Sequence, residues 1–275
     1  MTTASATTAT RAVVLARGLG TRMRSADAGA ELTEEQRRAA DAGMKAMMPI
    51  AGRRFLDFVL SAIADAGIQH VALVVPPNHA ALRDYYAADA PPSRVTVAFV
   101  VQAEPRGTAD AVLAAAPMVG AAPFLVVNGD NLYPVEVLHA TAALDGPGLP
   151  AFDADDLTRS GNIEAARVRA FALVETDADG YLTKIVEKPA DHDVTDRGRL
   201  VSMNCWKFDR RIFEACRDAP LSARGEYELP SAVMLAVERG VRFRVLRACG
   251  PVLDLSQRAD AVEVSRRLSG ISPRP

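Results

Sequence analysis

The architecture of this chain follows from the stretch Val13-Val14-Leu15-Ala16-Arg17-Gly18-Leu19-Gly20-Thr21-Arg22-Met23, in which a short apolar strand runs into a glycine-containing turn. Glycines let a backbone approach an anion closely, and successive N–H groups in such a turn form a concave anion site. Met23 stands where a dinucleotide fingerprint needs its third glycine, and no Gly-Lys-Ser/Thr follows to form a Walker-type loop. The turn is therefore either a phosphate-binding loop of another type or a plain connection from a strand to a helix.

Short apolar runs alternate with helical patterns after this turn, which is typical of βαβ units with a parallel sheet. Asp145-Gly146-Pro147-Gly148 then interrupts the chain, and longer strand-like runs follow, two of them joined by the hairpin turn Asp177-Ala178-Asp179-Gly180. The pattern predicts an α/β fold with a mixed, mostly parallel central sheet. Predicted strands cover 12–16, 71–75, 95–101, 124–128, 166–175, 181–187, 200–208, 241–247 and 251–255, and predicted helices cover 55–66, 78–88, 108–116, 210–219, 228–239 and 258–268.

Length and composition favour one domain over 11–270, preceded by a flexible leader, 1–10. The net charge of −2 gives no bulk attraction to nucleic acid or to an anionic membrane. The leader has neither the basic start nor the apolar run of a secretory signal, and a cytoplasmic location is the expectation. Three cysteines and four histidines show no metal-type spacing, so we expect reduced thiols and no structural metal.

The segment 26–43 is polar and rich in alanine, with Thr33 as a candidate N-cap. It is either a mobile, partly helical lid or a solvated surface helix without a role. The second interpretation is favoured on sequence grounds.

Two motifs after the glycine turn carry groups that suit a nucleotide. Lys45 precedes the turn Pro49-Ile50-Ala51-Gly52, and it is either a second cation for phosphate or a solvated lysine. Gln102 offers both a donor and an acceptor, which could read a base edge, and Gly107 lets the backbone approach that base.

Two carboxylates stand where a divalent cation could bind. Asp130, in Asn128-Gly129-Asp130-Asn131, follows a predicted strand, and ligands of open α/β sheets bind at the carboxyl ends of strands. It is either a Mg²⁺ ligand or the cap of the next turn. Asp254 lies in an apolar run, where an unpaired charge is costly, so a metal or a cation partner is expected. Glu187-Lys188-Pro189 offers paired opposite charges, which in many proteins form an ordinary exposed ion pair.

In this order the motifs resemble those of the sugar-1-phosphate nucleotidyltransferases, the pyrophosphorylases that make nucleotide sugars, from Arg11 to about Leu268. The resemblance implies a Rossmann-like three-layer α/β/α fold of the nucleotide-diphospho-sugar transferase type, with a nucleotide-binding half near 11–145 and a sugar-binding half near 146–270. The matching motifs are Leu15-Ala16-x-Gly18-x-Gly20-Thr21-Arg22-Met23, Lys45-x-x-x-Pro49-Ile50-x-Gly52, Gln102-x-x-x-x-Gly107-Thr108-Ala109, Gly129-Asp130-Asn131, Val186-Glu187-Lys188-Pro189, Asn204, Glu226-Tyr227-Glu228-Leu229 and Asp254.

The resemblance implies Mg²⁺-dependent condensation of a nucleoside triphosphate with a sugar 1-phosphate, giving a nucleotide sugar and pyrophosphate. Arg22, Lys45 and Lys188 are its catalytic cations, and Asp130 and Asp254 bind Mg²⁺. The nucleotide contacts are Leu15, Ala16, Gly18, Gly20, Thr21, Gln102, Gly107 and Thr108, and the sugar-phosphate contacts are Ala172, Glu187, Lys188 and Asn204. No nucleic acid or membrane partner is implied, and a homo-oligomer is compatible with the resemblance.

Three departures from the family pattern stand out. Arg17 replaces the small residue that usually precedes Gly18, the segment from Arg22 to Lys45 is longer than in thymidylyltransferases, and Ala172 stands where many relatives have glycine. The motifs point to UTP or dTTP and to a hexose 1-phosphate such as glucose 1-phosphate. The alternative is a catalytically silent nucleotide-sugar-binding regulatory protein, which is expected to have lost a metal carboxylate or a phosphate cation.

Overall fold

The structure is a computed structural model that describes residues 8–18, 20–24, 31–169, 171–186 and 199–275. The strands are β1 (Arg11–Leu15), β2 (Pro49–Ile50), β3 (Arg53–Arg54), β4 (His70–Val75), β5 (Thr96–Val101), β6 (Phe124–Asn128), β7 (Asn131–Leu132), β8 (Gly148–Asp153), β9 (Leu173–Thr176), β10 (Leu182–Val186), β11 (Leu200–Ser202), β12 (Trp206–Phe208), β13 (Arg244–Ala248) and β14 (Leu253–Asp254).

The α-helices are α1 (Thr21–Arg24), α2 (Glu34–Asp41), α3 (Phe55–Asp65), α4 (Ala80–Asp84), α5 (Thr108–Ala114), α6 (Ala116–Val119), α7 (Val135–Ala142), α8 (Ala154–Ser160), α9 (Ala165–Arg169), α10 (Arg211–Asp218), α11 (Leu229–Glu238) and α12 (Arg258–Arg267). A 3₁₀ turn covers Lys45–Met47, and a π-helical turn covers Tyr85–Asp89. None of the helices in the described part of the chain is long and apolar enough to cross a membrane.

The described residues build a ten-stranded main sheet in the order β10-β9-β11-β8-β12-β6-β1-β4-β5, with β13 also paired to β8. Strands β6, β1, β4 and β5 run parallel, whereas β12 pairs antiparallel with both β6 and β8. The predicted mixed central sheet, with parallel strands from the first half of the chain and an antiparallel part contributed by the second half, is confirmed.

Helices cover both faces of this sheet. Neighbouring residues of a strand point to opposite sides, and the apolar strands therefore present an apolar face on each side. Val14 belongs to one apolar core and Val13 to the other, and both are fully buried. The first core includes residues of α3, α7 and α12, and the second includes residues of α5, α10 and α11. This is the predicted three-layer α/β/α arrangement.

Several predicted elements need correction. The predicted strand 166–175 begins with helix α9, and the predicted strand 200–208 is split into β11 and β12 at Asn204, whose φ is +56°. The predicted chain break 145–148 includes the first residue of strand β8, because Gly148 begins that strand and packs closely against strand β13. A Cβ at Gly148 would lie 2.3 Å from the Arg244 carbonyl oxygen of the neighbouring strand β13.

Two local predictions are supported by the backbone. Asp177–Gly180 connects the antiparallel strands β9 and β10, and the Asp177 carboxylate accepts the Asp179 and Tyr181 N–H groups. Thr33 caps α2, although this helix is not simply solvated, because Gln36 and Ala40 on one face are buried. Of the predicted leader, residues 1–7 lie outside the described residues. Ala9 is buried, and its N–H donates to the Ala142 carbonyl oxygen at 2.9 Å.

Candidate active site

The glycine loop begins where central strand β1 ends, at the common carboxyl edge of the parallel strands. The Leu15 carbonyl oxygen accepts the Gly129 N–H at 2.9 Å, and Ala16 N–H donates to the Val74 carbonyl oxygen at 2.9 Å. The chain moves from β1 to β4 and β5 on one side and returns to β6 on the other, so this edge is a topological switch point. The turn is therefore placed where open α/β sheets bind their ligands.

Gly20 is required by close packing against the segment that carries Lys45. Its φ is +62°, and a Cβ there would lie 2.7 Å from the Gly43 carbonyl oxygen. Gly18, by contrast, has open space around the position of a Cβ. The backbone at Gly18 is therefore accessible, while Gly20 fixes the turn against its neighbour. An accessible glycine backbone in a fixed turn suits the binding of an anion.

Two adjoining cavities open at this edge. The smaller, of about 290 Å³, is lined by the turn, by α1 and by the start of α5; the larger, of about 550 Å³, extends toward Asp130. The predicted residues that line one or both cavities are Leu15, Ala16, Gly18, Gly20, Thr21, Arg22, Lys45, Gln102, Gly107, Thr108 and Asp130.

Lys45 and Asp130 form an ion pair between these cavities. The Lys45 Nζ donates to Asp130 Oδ2 at 2.8 Å, and the two side chains are 14% and 27% exposed. Lys45 begins the 3₁₀ turn 45–47, and its side chain reaches Asp130 just after the end of β6. A cation and a carboxylate thus face a space large enough for phosphate groups.

The turn after β5 holds Gln102 in a fixed orientation. The amide is buried, and its Nε2 donates to the Gly107 carbonyl oxygen at 3.0 Å and to Asp110 Oδ2 at 2.7 Å. Because two acceptors surround Nε2, the amide orientation follows from the network, and Oε1 remains as its acceptor.

The other end of this turn packs directly on the loop before α11. Gly107 has φ +108°, and a Cβ there would lie 2.4 Å from the Tyr227 carbonyl oxygen. Tyr227 N–H donates to the Arg106 carbonyl oxygen at 2.7 Å, and the Thr108 hydroxyl accepts the Leu229 N–H at 2.8 Å. The motif 226–229, to which the sequence assigned no role, therefore supports the turn that carries Gln102 and Gly107.

Asp254 is buried beside Asp130 and already has a cation partner. Strand β14 pairs with β7, which places Asp254 opposite Asn131, and its carboxylate accepts hydrogen bonds from Asn131 Nδ2 at 3.1 Å and Ser256 Oγ at 2.7 Å. Arg167 pairs with both Asp254 and Asp260. The expectation of a metal or cation partner is met in this structure by an arginine that the sequence did not single out.

Burial, followed by the charge of Asp130, raises the pKa of Asp254 to about 6, against the opposing effect of Arg167. Among the described residues, no cluster of three or more histidine, cysteine or acidic side chains could hold a metal ion. Mg²⁺ commonly binds through only one or two protein carboxylates together with substrate phosphates and water. Asp130 and Asp254 could supply these carboxylates, with Asp130 the more accessible of the two and Asp254 already engaged by Arg167 in this structure.

The residues expected at the sugar phosphate are placed less completely. Ala172 and Asn204 are both tied to Ser202: the Ala172 carbonyl oxygen accepts the Ser202 N–H at 2.9 Å, and Asn204 N–H donates to Ser202 Oγ at 3.3 Å. Neither lines the two cavities as far as the described residues define them. Glu187 and Lys188 lie outside the described residues.

Comparison with known proteins agrees with the motifs. The family model for nucleotidyl transferases matches residues 11–248. A glucose-1-phosphate thymidylyltransferase of Mycolicibacterium smegmatis is 26% identical over 84% of this chain and 72% of its own length. A UTP–glucose-1-phosphate uridylyltransferase of Haloferax volcanii is 27% identical over 94% of this chain and 96% of its own length.

A solved structure has the same fold. The crystal structure of a UDP-glucose pyrophosphorylase complexed with UDP-glucose superimposes with a TM-score of 0.72 and 18% sequence identity. The match covers 94% of this chain and 98% of the solved one.

Proposed function

The chain belongs to the nucleotidyl transferase family, and from that membership we propose that it joins a nucleoside triphosphate to a sugar 1-phosphate and releases pyrophosphate. The favoured substrates are UTP or dTTP and a hexose 1-phosphate such as glucose 1-phosphate. The observation that carries the proposal is the ion pair of Lys45 and Asp130 beside the glycine loop, because Lys45 lines both the cavity that Asp130 lines and the adjoining one that Gln102 lines.

In the proposed reaction, a phosphate oxygen of the sugar 1-phosphate attacks the α-phosphorus of the triphosphate. The new P–O bond forms as the bond to the β-phosphate oxygen breaks, and pyrophosphate leaves. Phosphoryl transfer is catalysed mainly by positioning and charge neutralisation. The main contribution of the protein to catalysis is therefore the set of cations in the site. The 11–145 half holds the nucleotide and the 146–270 half the sugar phosphate.

The glycine turn holds the phosphate chain through backbone N–H groups, with Arg22 on the first helical turn after it. Lys45 lies between this turn and Asp130, where its ammonium can contact the phosphate being transferred. Asp130 and Asp254 would hold Mg²⁺, which when bound neutralises charge on phosphate oxygens. Glu187, Lys188 and Asn204 are the proposed sugar-phosphate contacts, with Ala172 beside the sugar.

The base preference follows from which hydrogen-bonding groups of the Gln102 amide are already used within the protein. Both N–H groups of its amide serve acceptors within the protein, so Oε1 is the group of this side chain that can meet a base. An acceptor at this position pairs with the N3–H of uracil or thymine, whereas the N3 of cytosine is itself an acceptor. Two facing acceptors repel and leave both without a hydrogen bond.

We expect UTP or dTTP to exceed CTP by about 10- to 100-fold in kcat/KM, the effect of one unpaired polar contact. The measurement is pyrophosphate release with UTP, dTTP, CTP, ATP and GTP, each against a panel of sugar 1-phosphates in the presence of Mg²⁺. CTP equal to UTP and dTTP would contradict the base assignment. Absence of pyrophosphate release across the whole panel would contradict the proposed function and favour a silent regulatory protein.

A further inference from the structure

Arg17 connects the glycine loop to the turn 102–108 after β5, which we call the base-reading turn because it carries Gln102. Its Nε donates to the Gln102 carbonyl oxygen at 2.8 Å, and its Nη2 donates to the Ala103 carbonyl oxygen at 3.1 Å. A guanidinium presents its N–H groups as a rigid planar fork, which suits two neighbouring acceptors better than a single ammonium does. The residue that departs from the family pattern thus bridges the two parts of the nucleotide site.

The base-reading turn needs such a contact because β5 is the last strand of the sheet. Gln102 N–H donates to the Val75 carbonyl oxygen of β4 at 3.0 Å, which is the side of β5 that has a neighbouring strand. The far end of the turn is fixed by Tyr227, as described above. Arg17 fixes the beginning of the turn by donating to the carbonyl oxygen of Gln102, the residue whose side-chain amide is proposed to contact the base.

Two carboxylates act against the burial of the Arg17 guanidinium. Burial lowers the pKa of Arg17, and the carboxylates of Asp110 and Glu104 raise it in opposition. Asp110 also accepts a hydrogen bond from the Gln102 amide at 2.7 Å. Backbone and side chain of Gln102 are therefore held by groups of opposite charge.

We propose that Arg17 is a positioning residue that fixes Gln102 for base recognition and couples the base-reading turn to the triphosphate loop. This inference rests on the proposed function, because it takes the cleft to be a nucleotide site. The alternative is that Arg17 contacts the triphosphate directly as an extra cation. The two roles differ in which part of the nucleotide loses affinity when Arg17 is removed.

The test is calorimetric binding of UTP, CTP and inorganic tripolyphosphate to the wild type and to Arg17→Ala. We expect Arg17→Ala to bind UTP about tenfold more weakly, the effect of losing one or two hydrogen bonds, and to discriminate less between UTP and CTP. Tripolyphosphate, which has no base, binds the variant as it binds the wild type. Arg17→Lys keeps the charge but not the fork, and we expect it to leave the discrimination against CTP impaired.

The control is Arg11→Ala, because Arg11 also donates to two neighbouring backbone carbonyls, those of Met118 at 2.9 Å and Val119 at 3.1 Å, but lies at the start of β1 and lines neither of the two cavities. It should leave the ratio of UTP to CTP affinity unchanged. Unchanged UTP binding by Arg17→Ala, equal losses for UTP and tripolyphosphate, or full rescue by Arg17→Lys would each overturn the proposal. A wild type that binds UTP but turns over no sugar 1-phosphate would overturn the proposed function alone.

Discussion

Replacing Asp130 by asparagine is expected to lower kcat/KM by about 10²- to 10³-fold, the usual cost of losing one group that stabilises transition-state charge. The carboxylate pairs with Lys45 and is the more accessible member of the proposed Mg²⁺ pair. Asparagine has nearly the same size, and the backbone contact in which the Asp130 carbonyl oxygen accepts the Leu255 N–H at 2.9 Å is retained. The variant should therefore fold normally. Steady-state pyrophosphate release and thermal unfolding measure the two effects.

The control for this substitution is Asp155→Asn, which removes an exposed carboxylate in the first turn of α8, away from the two cavities. It should keep wild-type turnover. If Asp130→Asn retained near-normal turnover, Asp130 could be neither a metal ligand nor the partner that orients Lys45. A lowered melting temperature would contradict the expectation that this variant folds normally and would assign the loss of turnover to the fold instead of to the carboxylate.

Arg167→Met is expected to destabilise the protein by about 3–5 kcal/mol at neutral pH, since removing one partner of a buried ion pair leaves the other charge unpaired. The Asp254 side chain is only 6% exposed, and its other partners are neutral hydrogen-bond donors. Methionine fills similar space without a charge. Urea unfolding measures the loss, and added Mg²⁺ should restore part of it, because the freed carboxylate gains a cation beside Asp130.

The pH dependence of this variant has a definite sign. In the wild type the pKa of Asp254 is raised to about 6 from the ordinary value of 3.8, so this group favours folding at low pH and loses that contribution as the pH rises through 6. Without Arg167 the carboxylate is still harder to ionise, and the destabilisation should be smaller at pH 5 than at pH 8. A loss independent of pH would argue against an unpaired Asp254.

Arg159→Met provides the matched control, because Arg159 lies in α8 and its side chain is 70% exposed in a 3.6 Å pair with Asp156. Exposed pairs contribute about 0–1 kcal/mol, so this variant should unfold almost as the wild type does. Equal losses in both variants would show that the buried pair of Arg167 and Asp254 has no special contribution.

The sheet and the position of the candidate site at its carboxyl edge could be predicted from the sequence because their signals are local. An apolar strand followed by Gly18 and Gly20 marks the end of β1, and the residues after β5 and β6 meet there because parallel strands share a carboxyl edge. Gln102 and Asp130 could thus be placed at the same edge of the sheet from their place in the order of elements.

The remaining features depend on contacts distant in the chain. Arg167 meets Asp254 from 87 residues away, and nothing in the pattern around 167 distinguishes it from a solvated helix residue. Gly148 was interpreted as a chain breaker because its close approach to Arg244 depends on the pairing of β8 with β13. The partners of Arg17 lie 85 and 86 residues from it and became evident only from the folded turn.

The most direct test of the central claim follows a label from the triphosphate into the product. Wild-type protein is incubated with Mg²⁺, glucose 1-phosphate and UTP or dTTP labelled at the α-phosphate, and the products are separated chromatographically. We predict that the label enters a nucleotide sugar and that one pyrophosphate is released for each sugar joined. Label recovered only as free nucleotide, or orthophosphate in place of pyrophosphate, would contradict nucleotidyl transfer to a sugar phosphate.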